Sequence, residues 1–177
     1  ENGKLTVGWK EIAGKKYYFR KGIRKKATGW LRISGSVFFF DEKGVCQKLS
    51  GVVRTDQGIR YYFDPSTGER KTGWIHYGVN DYYFDPKTGR GYKGWHYIEG
   101  KRYFFNAFCQ LAKNRFVGNT YFVDAEGKMV TNTWILSYEI GADGKKTGKT
   151  RAPGLFSENG KTWLLDENYE KVTGWRE

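Results

Sequence analysis

The sequence predicts an all-β fold, a solenoid of stacked two-stranded β-hairpins, and three observations predict it. Gly-Trp pairs recur with a period of about 21 residues, an aromatic triplet follows each pair at a nearly fixed distance, and a turn signal closes each triplet.

The markers are Gly8-Trp9, Gly29-Trp30, Gly73-Trp74, Gly94-Trp95 and Gly174-Trp175, with Trp134 in a weakened copy. Trp9 and Trp30 are 21 residues apart, as are Trp74 and Trp95, and the 44 residues from Trp30 to Trp74 make two periods with Gly51-Val52 midway. After Trp95 the pattern passes Phe116, slips to Trp134 and returns through Leu155 to Trp175. The triplets are Tyr17-Tyr18-Phe19, Phe38-Phe39-Phe40, Tyr61-Tyr62-Phe63, Tyr82-Tyr83-Phe84 and Tyr103-Phe104-Phe105, with weaker copies at Tyr121-Phe122-Val123 and Trp163-Leu164-Leu165. Successive side chains of a strand point to opposite faces, so each triplet sends its outer two rings one way and its centre the other.

Turn chemistry sets the ends of the strands. Asp64-Pro65-Ser66-Thr67-Gly68 and Asp85-Pro86-Lys87-Thr88-Gly89 combine a proline that fixes φ with a glycine that accepts positive φ. Asp41-Glu42-Lys43-Gly44 and Asp124-Ala125-Glu126-Gly127 are proline-free versions. A second, tighter turn such as Ala13-Gly14-Lys15 or Glu99-Gly100-Lys101 lies between each Trp and its triplet. Each unit therefore reads as a strand with Trp, a tight turn, an aromatic strand and a looser turn. A lone two-stranded hairpin is marginal in water, so the units have to stack and bury rings against one another. Residues 1–136 read as regular hairpin repeats, 137–153 as a degenerate rung or local break, and 154–177 as the last repeat of one continuous repeat domain. Glu1-Asn2-Gly3-Lys4 reads as the turn that ends a preceding unit and Gly174-Trp175 as the opening of an unfinished one, so the chain is expected to be a fragment of a larger protein.

Composition agrees with a core made of rings. Aromatic residues reach 18% of the 177 residues, and there are 24 glycines and a single Met, with no long aliphatic run. Lys and Arg total 31 against 19 Asp and Glu, a formal charge of +12 that favours association with polyanions. No apolar stretch approaches the roughly 18 residues needed to span a membrane. Cys46 and Cys109 lie 63 residues, or three periods, apart. Layers stacked at about 10 Å put them about 30 Å from each other, beyond the Cα separation of about 7 Å that a disulfide tolerates, so two free thiols are expected. His76 and His96, each directly after a Trp or one residue beyond it, read as strand residues. Asp64 and Asp85 recur at one position of the repeat, which marks them as turn formers, and no nucleophile, paired acids or phosphate loop stand out. The sequence predicts no catalytic group, no metal site and no cofactor.

Gly-Trp, a Gly-Lys turn, Tyr-Tyr-Phe-Asp and a closing Gly at this period resemble the cell-wall-binding repeats of Gram-positive surface proteins. That superfamily includes choline-binding modules, the glucan-binding domains of glucansucrases and the repetitive domains of large clostridial toxins. The resemblance is strong over residues 3–130 and weaker afterwards. It implies a secreted or wall-associated, non-catalytic module whose ligand sites lie between consecutive hairpins and are lined by aromatic side chains. In choline-binding members a Trp precedes the Tyr-Tyr pair and contributes to a cage for the quaternary ammonium. Here that position holds Lys16, Val37, Arg60, Asp81 and Arg102, and the Tyr-Tyr-Phe-Asp wording looks more like the glucan-binding and toxin branches. The resemblance implies ring contacts from Trp30, Tyr62, Trp74, Tyr83, Trp95 and Tyr97, with Arg60, Lys71, Lys93 and Arg102 as polar or anionic contacts.

Three readings follow. The chain is a module binding a cell-wall polymer or glycan such as teichoic acid, an α-glucan or a host carbohydrate; or a structural spacer or adhesin stalk whose rings are purely core; or, ranked last, a binder of nucleic acid drawn by charge and rings.

Overall fold

The structure, a computed structural model, describes residues 7–23 and 25–172. The expected turn at Glu1–Lys4 and the opening at Gly174-Trp175 lie outside the described residues. Every strand or helix assigned among the described residues is a β-strand. The chain divides into two compact units, Glu1–Tyr92 and Lys93–Glu177.

In the first unit four hairpins follow one another. They are β1 (Gly8–Ile12) with β2 (Lys15–Phe19), β3 (Gly29–Ile33) with β4 (Ser36–Phe40), β6 (Gly51–Arg54) with β7 (Arg60–Phe63), and β9 (Gly73–Tyr77) with β10 (Asn80–Phe84). Two of them carry a third strand of two residues, β5 (Cys46–Gln47) on β4 and β8 (Arg70–Lys71) on β7. The second unit repeats the theme with β11 (Gly94–Ile98) and β12 (Lys101–Phe105), β13 (Arg115–Val117) and β14 (Tyr121–Val123), and β18 (Gly154–Glu158) and β19 (Lys161–Leu165). Between the last two pairs lies a three-stranded sheet of β15 (Thr133–Ile135), β16 (Tyr138–Ile140) and β17 (Lys146–Thr150). The segment 137–153, expected as a degenerate rung or a break, thus contributes two strands.

Among the described residues the strands pair antiparallel, and the register places the marker residue opposite the centre of its own triplet. Trp9 faces Tyr18, Trp30 faces Phe39, Val52 faces Tyr62, Trp74 faces Tyr83 and Trp95 faces Phe104. Val52 therefore occupies the place of the missing Trp. Two-residue turns set this register: Glu99 and Gly100 both have positive φ, the mirror-image turn whose twist matches paired strands. The hairpin of β6 and β7 instead closes over Thr55–Ile59, where Thr55 N–H donates to the Ile59 carbonyl at 2.8 Å, and the longer loop fits the stretched spacing from Trp30 to Trp74. Strands of only three residues in β13 and β14 accompany the shortened spacing before Trp134.

The two faces of the aromatic strands have different fates. Phe40, Phe84, Phe105 and Val123, the last residues of their triplets, are completely buried. Phe63 and Leu165 at the same position are nearly so. In each unit the core is built from outer triplet side chains, and ring burial of this kind is the main stabilising term of the fold. In the first unit one cluster joins Ala27, Ile33 and Phe40, and another joins Val37, Tyr61 and Phe63 with Trp30 packed against it.

The looser turns close with the expected Asp chemistry. The Asp64 side chain accepts from the Ser66 and Thr67 N–H groups at 2.9 and 3.1 Å, and Asp85 accepts from Lys87 and Thr88 at 3.1 and 2.6 Å. Asn106, Asp124 and Asp166 act in the same way. In the turn of Asn106 the closing glycine is replaced by Cys109, which adopts φ 63° and is fully buried. Cys46 and Cys109 are both free thiols.

Candidate functional site

In the first unit the marker residue and the central triplet residue of a hairpin share one face, which packs on outer triplet rings of a neighbouring hairpin: Trp9 lies 5.7 Å from Phe40 and Tyr62 6.1 Å from Phe84. Cover on that face is uneven, partial for Trp9 and nearly complete for Tyr62. Trp9 and Trp74 are each 40% exposed and Tyr97 is 72% exposed, in contrast to the buried outer rings. Rings meet mostly edge to face, the geometry their quadrupoles favour.

Of the ten candidate residues the structure brings together Trp74 with Tyr83 in the first unit and Trp95, Tyr97 and Arg102 in the second. In the first unit Trp74 and Tyr83 form a pair with centroids 5.1 Å apart, and Tyr83 continues to Tyr92 at 5.0 Å. Tyr62 is not in that pair: it is nearly buried and packs on Tyr77 and Phe84 at 5.6 and 6.1 Å. Trp30 lies on Phe39 at 5.0 Å and against the Val37–Tyr61–Phe63 cluster. Lys71 stands opposite Tyr62 and its ammonium pairs with Glu69 at 3.0 Å. Arg60 opens β7, and its carbonyl accepts from Gly91 N–H at 2.9 Å. In the second unit Trp95, Tyr97 and Arg102 come together: the Arg102 guanidinium carbon sits 4.7 Å from the Trp95 ring centre and 5.8 Å from that of Tyr97. The Lys93 carbonyl accepts from the His96 ring Nε2 at 2.9 Å. His76 and His96 are strand residues, and His76 Nδ1 lies 2.8 Å from the Asp81 carboxylate.

A feature that sequence reasoning missed is an open groove in the first unit, with a volume of about 1080 Å³. Trp9 and Phe38 form its aromatic wall, with ring centroids 4.9 Å apart. Lys10, Lys15, Lys16, Lys48 and Arg70 line it, against only Glu11 and Glu69 on the acidic side. None of the ten candidates is among its lining residues. The groove collects side chains from three hairpins, and that assembly has no signal in any single repeat. Its framework is held by the turns: Lys48 Nζ donates to the Ser66 carbonyl at 3.3 Å and Arg70 Nη1 to that of Thr88 at 2.9 Å. Cys46 also lines it, and burial pushes its thiol pKa up, partly offset by the nearby Lys16 ammonium. Trp9 is 40% exposed and shares the groove with five basic side chains, a setting that suits a ligand with both an apolar face and negative charge.

Comparison with known proteins agrees with this architecture. The sequence model of the choline-binding repeat matches residues 110–145, and that of a cell wall binding repeat matches residues 7–22, 28–46 and 72–87. No curated protein sequence matches significantly. Choline binding protein F from Streptococcus pneumoniae, solved in the presence of a peptidoglycan analogue (tetrasaccharide-pentapeptide), is 25% identical over 82% of this chain and 48% of its own, with a TM-score of 0.59. CbpF in complex with ipratropium is 31% identical over 72% of this chain and 40% of its own, with a TM-score of 0.52. Alternansucrase in complex with isomaltononaose shares the fold, at 24% identity over 94% of this chain but 13% of its own and a TM-score of 0.50. The chain therefore spans about half the length of the choline binding protein and a small part of the sucrase. With repeat models matching in both units and hairpins of the expected register in each, the chain belongs to the choline-binding and cell-wall-binding repeat family.

Proposed function

We propose that this chain is a non-catalytic module that attaches a secreted protein to an anionic glycopolymer of a bacterial cell wall, and that the groove beside Trp9 is its contact surface. The observation that carries this reading is the composition of the groove: two rings suited to stacking against a sugar or alkyl face, rimmed by five basic side chains. A neutral glucan would use the rings and leave the charges idle, whereas a polymer with phosphate or carboxylate groups uses both. That choline binding protein F was solved in the presence of a peptidoglycan analogue supports a wall ligand of this general kind. Repetition along a polymer would add avidity to weak single contacts.

The test is intrinsic Trp fluorescence of the whole chain during titration with a purified teichoic acid, a soluble α-glucan and choline, each at low and high salt. The reading expects a saturable response to teichoic acid that salt weakens, since charge contacts are screened over about 10 Å at 0.1 M salt. It fails if the folded chain responds only to the neutral glucan, or to none of the three.

A further inference from the structure

Three successive hairpin junctions of the Lys93–Glu177 unit share an arrangement that the repeat sequence does not encode. At the first, Trp95 of β11 meets Tyr121 of β14 with centroids 5.2 Å apart, and the Arg102 guanidinium carbon lies 4.7 and 5.5 Å from the two ring centres. At the second, Phe116 of β13 meets Tyr138 of β16 at 5.7 Å, and Lys146 Nζ lies 4.2 and 3.7 Å from their centres. At the third, Trp134 of β15 meets Phe156 of β18 at 5.1 Å, and the Arg151 guanidinium carbon lies 5.0 and 5.5 Å from theirs. In every case one ring comes from each of two consecutive hairpins and a cation lies within reach of both.

The three cations are not equivalent in sequence. Arg102 sits on β12 beside its own Trp, Lys146 opens β17, and Arg151 follows that strand. A repeat inheriting one basic position would place them at a common register; instead unrelated positions deliver a charge to the same place in space. That convergence is expected if paired ring faces between hairpins attract a cation and are left poorly covered without one. Each cation also has a second tether. Lys146 Nζ donates to Asn119 Oδ1 at 3.0 Å. Arg151 donates from Nε to the Leu136 carbonyl at 2.9 Å and from Nη2 to that of Tyr169 at 3.3 Å. Arg102 Nη1 lies 3.6 Å from the Met129 sulfur. Lys171 over the Trp163 ring at 3.7 Å extends the pattern with a single ring.

We propose that these junctions are self-liganded cation cages: Arg102, Lys146 and Arg151 occupy the place between two rings where a soluble organic cation with a quaternary ammonium head would otherwise sit, and so close this unit to such ligands while locking successive hairpins together. A tethered cation acts at an effective concentration that a weakly held free one does not match, and its charge repels a second cation from the same rings. This goes beyond the wall-polymer reading and does not rest on it, because it concerns rings of the second unit and not the groove beside Trp9.

The experiment is choline titration of the full chain followed by assigned two-dimensional NMR, with sodium chloride as the matched salt control. The Trp95 and Trp134 indole signals report the first and third cages, and the Tyr138 ring signals the second. In the wild type these signals are expected to stay still, and the ε-methylene protons of Lys146 and δ-methylene protons of Arg102 and Arg151 are expected to be shifted upfield by the rings that cover them. In Arg102→Ala, Lys146→Ala and Arg151→Ala, the rings of the opened cage alone are expected to move saturably with choline, at least about tenfold tighter than any wild-type response. Choline is also expected to restore part of the thermal stability that the variant loses. Absence of upfield shifts in the wild type, or wild-type choline binding at these rings as tight as in the variants, overturns the proposal. So does a folded variant whose opened rings ignore choline. The wild-type shifts decide the matter even if a variant fails to fold, and a groove that proves inert leaves all of these readouts intact.

Discussion

Replacing Gly127 by Ala tests how one hairpin is fastened to the one before it. Gly127 closes a looser turn with φ 82°, and a Cβ built there would lie 2.8 Å from Cγ and both Cδ atoms of Leu111, a residue of the preceding repeat. Gly94, which opens β11, has nearly the same φ of 76°, yet a Cβ there would meet nothing within 4 Å. Both alanines carry the left-handed backbone cost of about 1–2 kcal/mol. Both also share whatever is regained from a less flexible unfolded chain. Only Gly127→Ala must in addition displace Leu111, an overpacking cost of about 1–3 kcal/mol. The difference between the two variants therefore isolates the contact between repeats. At a slope of about 2 kcal/mol/M, a mid-range difference of about 2 kcal/mol lowers the urea midpoint of Gly127→Ala by about 1 M relative to Gly94→Ala. Circular dichroism during urea titration measures it. Equal midpoints, or a lower one for Gly94→Ala, would refute the claim that close approach at the looser turn joins successive repeats.

Two further outcomes are expected. The carboxylate of Asp64 is held below its ordinary pKa of 3.8 first by the Ser66 hydroxyl and then by backbone N–H groups; that of Asp85 is lowered first by the Thr88 N–H, and that of Asp143 by the Lys145 N–H. A folded pKa below the unfolded one gives stability that is present above the ordinary value and lost as pH falls through it toward the folded value, so the thermal midpoint should drop on acidification below about pH 4. Asp85→Asn should flatten that dependence, and an unchanged acid profile in the variant would contradict it. For the thiols, a maleimide reagent should label Cys46 in the folded chain, slowly at neutral pH because burial raises its pKa, whereas fully buried Cys109 should react only on unfolding. Mass spectrometry of the labelled peptides distinguishes them, and equal labelling rates would contradict the burial of Cys109.

The hairpins were legible because two independent signals agree on each. Turn chemistry such as Glu99-Gly100 fixes where a strand ends, and ring alternation in Tyr103-Phe104-Phe105 fixes which face it buries. The short third strands escaped notice for a physical reason: two residues such as Cys46–Gln47 are too few to show any alternation. Around Trp134 the signal fades because its cross-strand partner is Glu139, not a ring. The candidate site was legible only in part. Candidates chosen from the best-preserved copies favour residues that a stack needs anyway, and Tyr62 accordingly packs almost out of solvent. The groove is assembled from Trp9, Phe38 and Arg70 on different hairpin sheets, and the cations over the rings of the second unit come from unmatched positions. Neither can be read from one repeat, because each depends on which side chains stacking brings together.

The most direct test of the wall-binding account is the affinity of teichoic acid for the wild type, Trp9→Ala and Lys10→Glu, measured by calorimetry at one salt concentration with folding checked by circular dichroism. The account predicts saturable binding by the wild type and a loss of about tenfold or more in each variant, through the stacking face in one and the charge in the other. Wild-type affinity retained by both folded variants would contradict it and move the contact surface away from the groove.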